Sequence, residues 1–298
     1  MKKEVKVAVI GLDTSHTIQF IKRMQDPGCE DKWKVDGLRA ISCMRFETPF
    51  QNRQGLDERQ KQIEGWGVKV TEDFEEAIQG CDAIMLEIND PAYHLEYFSR
   101  CAGLGKPVFL DKPMADDIRS GLKIYETAKK NNTRVFSSSS LRFVTELEEA
   151  VKTVDDPQYA SMFGPLGIAP AGSSIVWYGV HAFEMLQKAM GRGAISTLAV
   201  KDDAGVTVVI EYPDKRRGVV ELTEGAYVYG GSIRSSRDAA AFIVDMSMAY
   251  TLQLREVADF FRGGEAPLTI EDTLEVMDLL DSAERSYASG KKEYLSGK

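Results

Sequence analysis

The run Val5-Lys6-Val7-Ala8-Val9-Ile10-Gly11-Leu12-Asp13-Thr14-Ser15-His16 decides the fold. A short apolar stretch stops at a glycine. From Thr14 to Met24, Ile18, Ile21 and Met24 then recur about one turn apart, which predicts a strand, a tight turn and a helix. A dinucleotide fingerprint G-x-G-x-x-G occupies this place in a nucleotide-binding βαβ unit. Only its first glycine, Gly11, is present. Asp13 sets a side chain and a negative charge where the backbone would approach a pyrophosphate, and His16 replaces the glycine that lets helix and strand pack closely. In compensation, Asp13, Thr14 or Ser15 can cap the helix, its free N–H groups attract anions, and the Thr14 and Ser15 hydroxyls can donate to phosphate. A capped helix that holds no nucleotide fits the same residues.

Outward from this turn the β/α alternation continues. Strands are predicted at 35–43, 69–70, 83–88, 107–110 and 134–138, with 83–88 apolar throughout except for Glu87. Between them, Thr71 is expected to cap a helix burying Phe74, Ala77 and Ile78. A second helix runs from His94 to Leu104 and stops at Gly105. A third opens at Asp116 and Asp117, turns Ile118, Leu122 and Tyr125 inward, and closes at Lys129 and Lys130. The pattern implies a parallel sheet covered on both faces, with ligands at the carboxyl ends of its strands. After about residue 140 the rhythm changes to two helical stretches and strands at 195–201, 206–212 and 218–223, which suits an antiparallel sheet. Residues 155–174, rich in Gly, Pro, Ala and Ser, are expected to form a long loop, either a binding loop or a plain surface one.

A length of 298 residues favours two domains, drawn at 1–140 and 141–298. A formal charge of −9 argues against a nucleic-acid partner, because that binding needs Lys and Arg to displace counterions. No apolar run reaches the ~18–20 residues of a membrane span, and the N-terminus lacks a signal-peptide pattern, so a cytoplasmic location is expected. Cys29, Cys43, Cys81 and Cys101 form no C-x-x-C pair. Neither a disulfide framework nor a metal site is expected, only reduced, mostly buried thiols.

Four further positions invite chemistry. Arg45 follows the second strand where an acid would meet a ribose hydroxyl, so it leans any cofactor toward NADP, unless it is simply a solvated cation. Lys112, in Asp111-Lys112-Pro113, follows a strand; an ammonium fixed there can hydrogen-bond a substrate hydroxyl and stabilise developing negative charge. His181 shares a helix face with Glu184 and Lys188, away from the stripe of Phe183, Leu186 and Met190. It suits a general base, or a surface histidine paired with Glu184.

Together these residues resemble the glucose-fructose oxidoreductase, inositol dehydrogenase and MocA family (Gfo/Idh/MocA), nearly end to end. The likeness rests on the Gly11 turn, on Asn89-Asp90-Pro91 with His94, and on Gly105-Lys106-Pro107-Val108 leading to Asp111-Lys112-Pro113. It extends through the helix bearing His181 and the closing region from Leu254 through Gly263-Gly264 and Pro267 to Gly290. The resemblance implies an N-terminal Rossmann NAD(P)-binding fold and a C-terminal α+β domain on an open, mainly antiparallel sheet that mediates self-association. It implies a dehydrogenase acting on a sugar or polyol, in which Lys112 orients and acidifies the alcohol, His181 takes its proton and the nicotinamide takes hydride. Gly11, Asp13, Thr14, Ser15, His16, Arg45, Asn89, His94, Asp111 and Lys112 would line the cofactor, and Lys112, Trp177, Tyr178 and His181 the substrate. Three departures stand out: the altered glycine loop, which leaves dinucleotide binding itself open; Asp111 where the family has Glu; and Trp177 where Asp is usual, four residues before His181. A non-catalytic sensor on the same fold, or a redox-assisted lyase or glycosidase, are the alternatives these departures raise.

Overall fold

The computed structural model of the protein describes residues 4–296. The chain divides into two compact units, the first formed by residues 1–116, 120–137 and 250–270, the second by the remainder.

The first unit is built on β1 (Val5–Ile10), α1 (Ser15–Gln25), β2 (Leu38–Met44), α2 (Arg53–Glu64), β3 (Lys69–Thr71), α3 (Phe74–Ala77), β4 (Ala83–Leu86), α4 (His94–Ala102), β5 (Val108–Leu110), α5 (Ile118–Asn131) and β6 (Val135–Ser137). The strands form one sheet in the order β3-β2-β1-β4-β5-β6, and each neighbouring pair is parallel. This is the doubly wound order whose reversal lies between β1 and β4, the place where such sheets bind ligands. β1, β4 and β5 are apolar and buried in their central residues because helices cover both faces. Phe20, Phe109, Phe136 and Phe260 form a chain of rings with centroids 5.0–6.2 Å apart. Such pairs add about 0.5–1.5 kcal/mol each beyond the area they bury.

Two local expectations change. Asp73, not Thr71, caps α3, its carboxylate accepting from the Glu76 amide, because Thr71 is still paired in β3. On α5 the buried residues are Ile118, Ile124 and Ala128, while Leu122 is exposed. Glycine at 121 completes the inward face, a phase that a count of large apolar residues misses.

The second unit adds α6 (Thr145–Thr153), β7 (Tyr159–Pro165), α7 (Val180–Met190), β8 (Ser196–Asp202), β9 (Gly205–Glu211), β10 (Arg217–Thr223), β11 (Gly230–Arg234) and β12 (Ala239–Ile243). The helix α8 (Ala249–Phe261) leads back into the first unit, and α9 (Ile270–Ser289) and β13 (Glu293–Tyr294) complete the second. Its open seven-stranded sheet runs β12-β11-β7-β10-β9-β8-β13, antiparallel except between β7 and β10. The expected 155–174 loop is therefore wrong for its first half: β7 is an interior strand of this sheet. Its small residues, Ala160 and Gly164, face inward, and a Cβ at Gly164 would lie 2.6 Å from the Tyr229 ring. Small size there reflects close packing, not looseness. Among the described residues no helix is long and apolar enough to cross a membrane. All four cysteines are buried and unpaired with one another.

Candidate active site

At the carboxyl edge of the first unit's sheet the opening turn is fixed by Gly11. Its φ is +111°, and a Cβ there would stand 2.2 Å from the Glu87 carbonyl oxygen, so no other residue fits without moving β4. Thr14 is the N-cap of α1, its hydroxyl accepting from the His16 amide at 3.1 Å, and Ser15 is exposed beside it. Asp13 does not project outward. It is buried, with its carboxylate accepting from the Asn89 amide at 2.9 Å and the Thr48 hydroxyl at 2.8 Å. Burial raises its pKa in spite of those hydrogen bonds. Arg59, half-buried on α2, donates to the Leu12 carbonyl at 2.8 Å and brings a cation to the turn. No local motif marked Arg59, since its role depends on how α2 packs.

Below the turn lies a cluster of ionisable groups. His16 Nδ1 donates to Asp111 Oδ2 at 2.7 Å, and its ring meets Tyr250 and Phe20 edge-on at 5.2 and 6.1 Å. Glu87 follows β4 directly and Asp111 follows β5 directly. The β4–β5 register pairs Leu86 with Leu110, so the two acids that come next are neighbours. Both are buried, and among the described residues neither Glu87 carboxylate oxygen nor Asp111 Oδ1 has a hydrogen-bond partner. Burial, reinforced by the Asp111 charge, pushes Glu87 well above the usual carboxylate range. Burial works against Asp111 too, yet His16 and Lys112 hold it below its ordinary value. Lys112 is itself buried, and desolvation lowers its pKa while Asp111 and Glu87 support its charge. Lys112 thus sits among acids at a strand end and is not a solvated lysine.

Two expected cofactor contacts are committed elsewhere. Arg45 is buried, with Nη1 2.6 Å from both Asp57 and Gln60 and Nε 3.4 Å from Glu72. A guanidinium already neutralised in this way gives no reason to favour a 2′-phosphate, so the lean toward NADP is withdrawn. His94 is fully buried and its ring nitrogens face the Ile88 and Met114 carbonyls at 2.7 and 3.2 Å, tying together the loops after β4 and β5. Asn89 meets Asp13 through its backbone.

In the second unit, a π-helical turn over Ile175–Gly179 precedes α7 and carries Trp177 and Tyr178; such turns recur at functional sites. His181 is half-buried. Its Nδ1 lies 2.6 Å from Ser139 Oγ, and the Tyr178 and Tyr229 rings lie 6.3 and 5.5 Å away. Glu184 does not pair with it. Buried Glu184 takes a 3.0 Å ion pair from Arg142 and a 3.3 Å bond from the Ser139 amide, and Arg142 also reaches Gln187 at 2.6 Å. Burial raises the Glu184 pKa despite Arg142. Ser139, Arg142, Tyr227 and Tyr229 were not legible as site residues, since nothing in their local sequence signals them.

A doubly wound unit with a single-glycine turn, together with an α+β unit on an open sheet, is a two-domain Rossmann architecture. Residues 5–139 match the model of the Gfo/Idh/MocA oxidoreductase family, NAD-binding Rossmann fold. Three solved structures share the whole architecture. A probable dehydrogenase from Thermotoga maritima is 16% identical with a TM-score of 0.79, over 98% of this chain and 99% of that one. GenD2 from gentamicin A biosynthesis, in complex with NAD, is 13% identical with a TM-score of 0.80, over 99% and 97%. The scyllo-inositol dehydrogenase of Lactobacillus casei, with NAD(H) and scyllo-inositol, is 13% identical with a TM-score of 0.79, over 99% and 100%. At these identities the likeness establishes the fold. No curated protein matches the chain in sequence.

Proposed function

We propose that the protein is an NAD(P)-linked dehydrogenase of a sugar or polyol. The observation that supports this most is Lys112: a buried amine directly after β5, whose charge burial disfavours and the neighbouring acids favour, on the sheet edge where the glycine turn lies. The residues present fit a dinucleotide. Gly11 allows the close turn, the amino end of α1 suits a pyrophosphate, Arg59 adds positive charge, and Asp13 is drawn into the protein by Asn89 and Thr48. GenD2 and the Lactobacillus casei enzyme are both described with NAD or NAD(H), which supports a cofactor of this type here.

In this proposal Lys112 donates a hydrogen bond to the reacting hydroxyl and stabilises the negative charge that grows on its oxygen. His181 accepts the hydroxyl proton. Its Nδ1 lies 2.6 Å from Ser139 Oγ, which fixes the orientation of the ring. Trp177, Tyr178 and Tyr229, whose rings cluster with one another and with His181, supply apolar contacts to a sugar in this proposal. A bound nicotinamide supplies the acceptor for the hydride leaving the alcohol carbon. Self-association uses the outer face of the seven-stranded sheet, where Tyr159 and Ile243 are exposed.

A second reading is favoured by Asp13, whose carboxylate stands at the second-glycine position: a sensor that binds a small molecule without turnover. Titration with NADH and NADPH, read by nicotinamide fluorescence, separates the two. Saturable binding is expected, and its absence removes the dehydrogenase. Lys112→Ala then abolishes turnover with dinucleotide affinity kept within a few-fold, and retained turnover removes Lys112 from the mechanism.

A further inference from the structure

We infer that His16, Glu87 and Asp111 form a binding site for one divalent transition-metal ion at the carboxyl end of the six-stranded sheet. One ligand atom from each residue lies within 4.8 Å of the others, and all three side chains are buried. This compact set contains more acceptor capacity than the protein satisfies. Among the described residues neither Glu87 oxygen nor Asp111 Oδ1 has a hydrogen-bond partner, and a buried polar atom left so is costly. A protonated Glu87 could donate one hydrogen bond, but among the described residues no acceptor receives it. A cation meets all three oxygens at once.

The donors are held in place before any ion arrives. The Glu87 amide bonds the Ile10 carbonyl at 2.8 Å and the Asp111 amide bonds the Leu86 carbonyl at 2.9 Å, so both acids extend from a paired sheet ladder. His16 is in the first turn of α1, with its amide capped by Thr14 and its ring wedged by Tyr250 and Phe20. Ligands fixed by packed elements in this way suit a metal better than ligands on loops. The set of one imidazole and two carboxylates, with no thiolate, is of intermediate hardness and matches Zn²⁺, Fe²⁺ or Mn²⁺ rather than Cu⁺ or Ca²⁺. Lys112 follows Asp111, and its charge opposes an ion there while favouring the ionised form of both acids. The ion must therefore bring more charge than an ammonium does, which a divalent cation supplies.

The test uses the full chain, stripped with a chelator and free of dinucleotide, so its outcome is independent of the dehydrogenase proposal. Co²⁺ is titrated with the visible d–d absorption followed, and Zn²⁺ and Mn²⁺ by calorimetry. One ion per chain is expected. Glu87→Gln and His16→Asn should each weaken it by at least ~100-fold. No saturable binding of any of the three ions to the wild-type protein overturns the site, and so does binding that Glu87→Gln does not weaken.

Discussion

Replacing Arg142 with Met tests how the second unit holds its charges. Arg142 Nη1 reaches the Glu184 carboxylate at 3.0 Å and the Glu184 carbonyl at 3.2 Å, and Nη2 reaches Gln187 at 2.6 Å. Glu184 is 1% exposed, so Arg142→Met leaves it a buried charge whose remaining bond is the long one from the Ser139 amide. Breaking one side of such a pair costs about 3–5 kcal/mol. At roughly 3 °C per kcal/mol for a domain of this size, the unfolding transition of the second unit falls by about 10–15 °C. The sign with pH follows from the raised Glu184 pKa. A buried acid that keeps its proton in the folded state stabilises most at low pH, and that contribution is lost as pH rises from the ordinary value through the folded one. Removing Arg142 raises the folded value further, so the deficit is small at acid pH and largest above neutrality. Thermal and urea unfolding at pH 5 and pH 8 read both effects. The double variant Arg142→Met with Glu184→Leu should recover most of the loss, because an apolar pair of similar volume replaces the ions. A cost below about 1 kcal/mol, or a double variant no better than the single, refutes the argument.

Gly11→Ala should cost more than ~3 kcal/mol, because a positive φ is strained for alanine and its methyl would overlap the Glu87 carbonyl; chemical denaturation reads it. Asp13→Gly restores the second glycine. With the carboxylate gone from the turn, NADH affinity should rise, and unchanged affinity in a folded variant contradicts the role given to Asp13. Ser139→Ala frees His181 Nδ1 and should lower kcat about tenfold and move the limb of the pH–rate profile that reports His181, with KM nearly constant. An unmoved pH profile removes Ser139 as a positioning residue.

The first unit was legible because each of its elements carries a local period. Strands read as apolar runs, helices as residues one turn apart, and Gly11 marked the turn. The β7 strand was not legible, since Ala160, Gly164 and Pro165 have the composition of a loop and only the Tyr229 ring explains their small size. The charged cluster lay hidden for a different reason. His16, Glu87 and Asp111 are 71 and 24 residues apart in sequence, and parallel register brings them together.

One signal for that cluster was nonetheless present. Glu87 is the acid that interrupts the apolar run 83–88, and a carboxylate at the buried end of an interior strand is expensive unless something compensates it. Lys112 compensates part of that cost by its charge, and His16 pairs with Asp111. The departures from the dinucleotide fingerprint therefore belong together. His16 in place of the third glycine provides the partner of Asp111, and Asp13 in place of the second glycine joins the loops after β2 and β4. These residues give the turn a polar structure of its own.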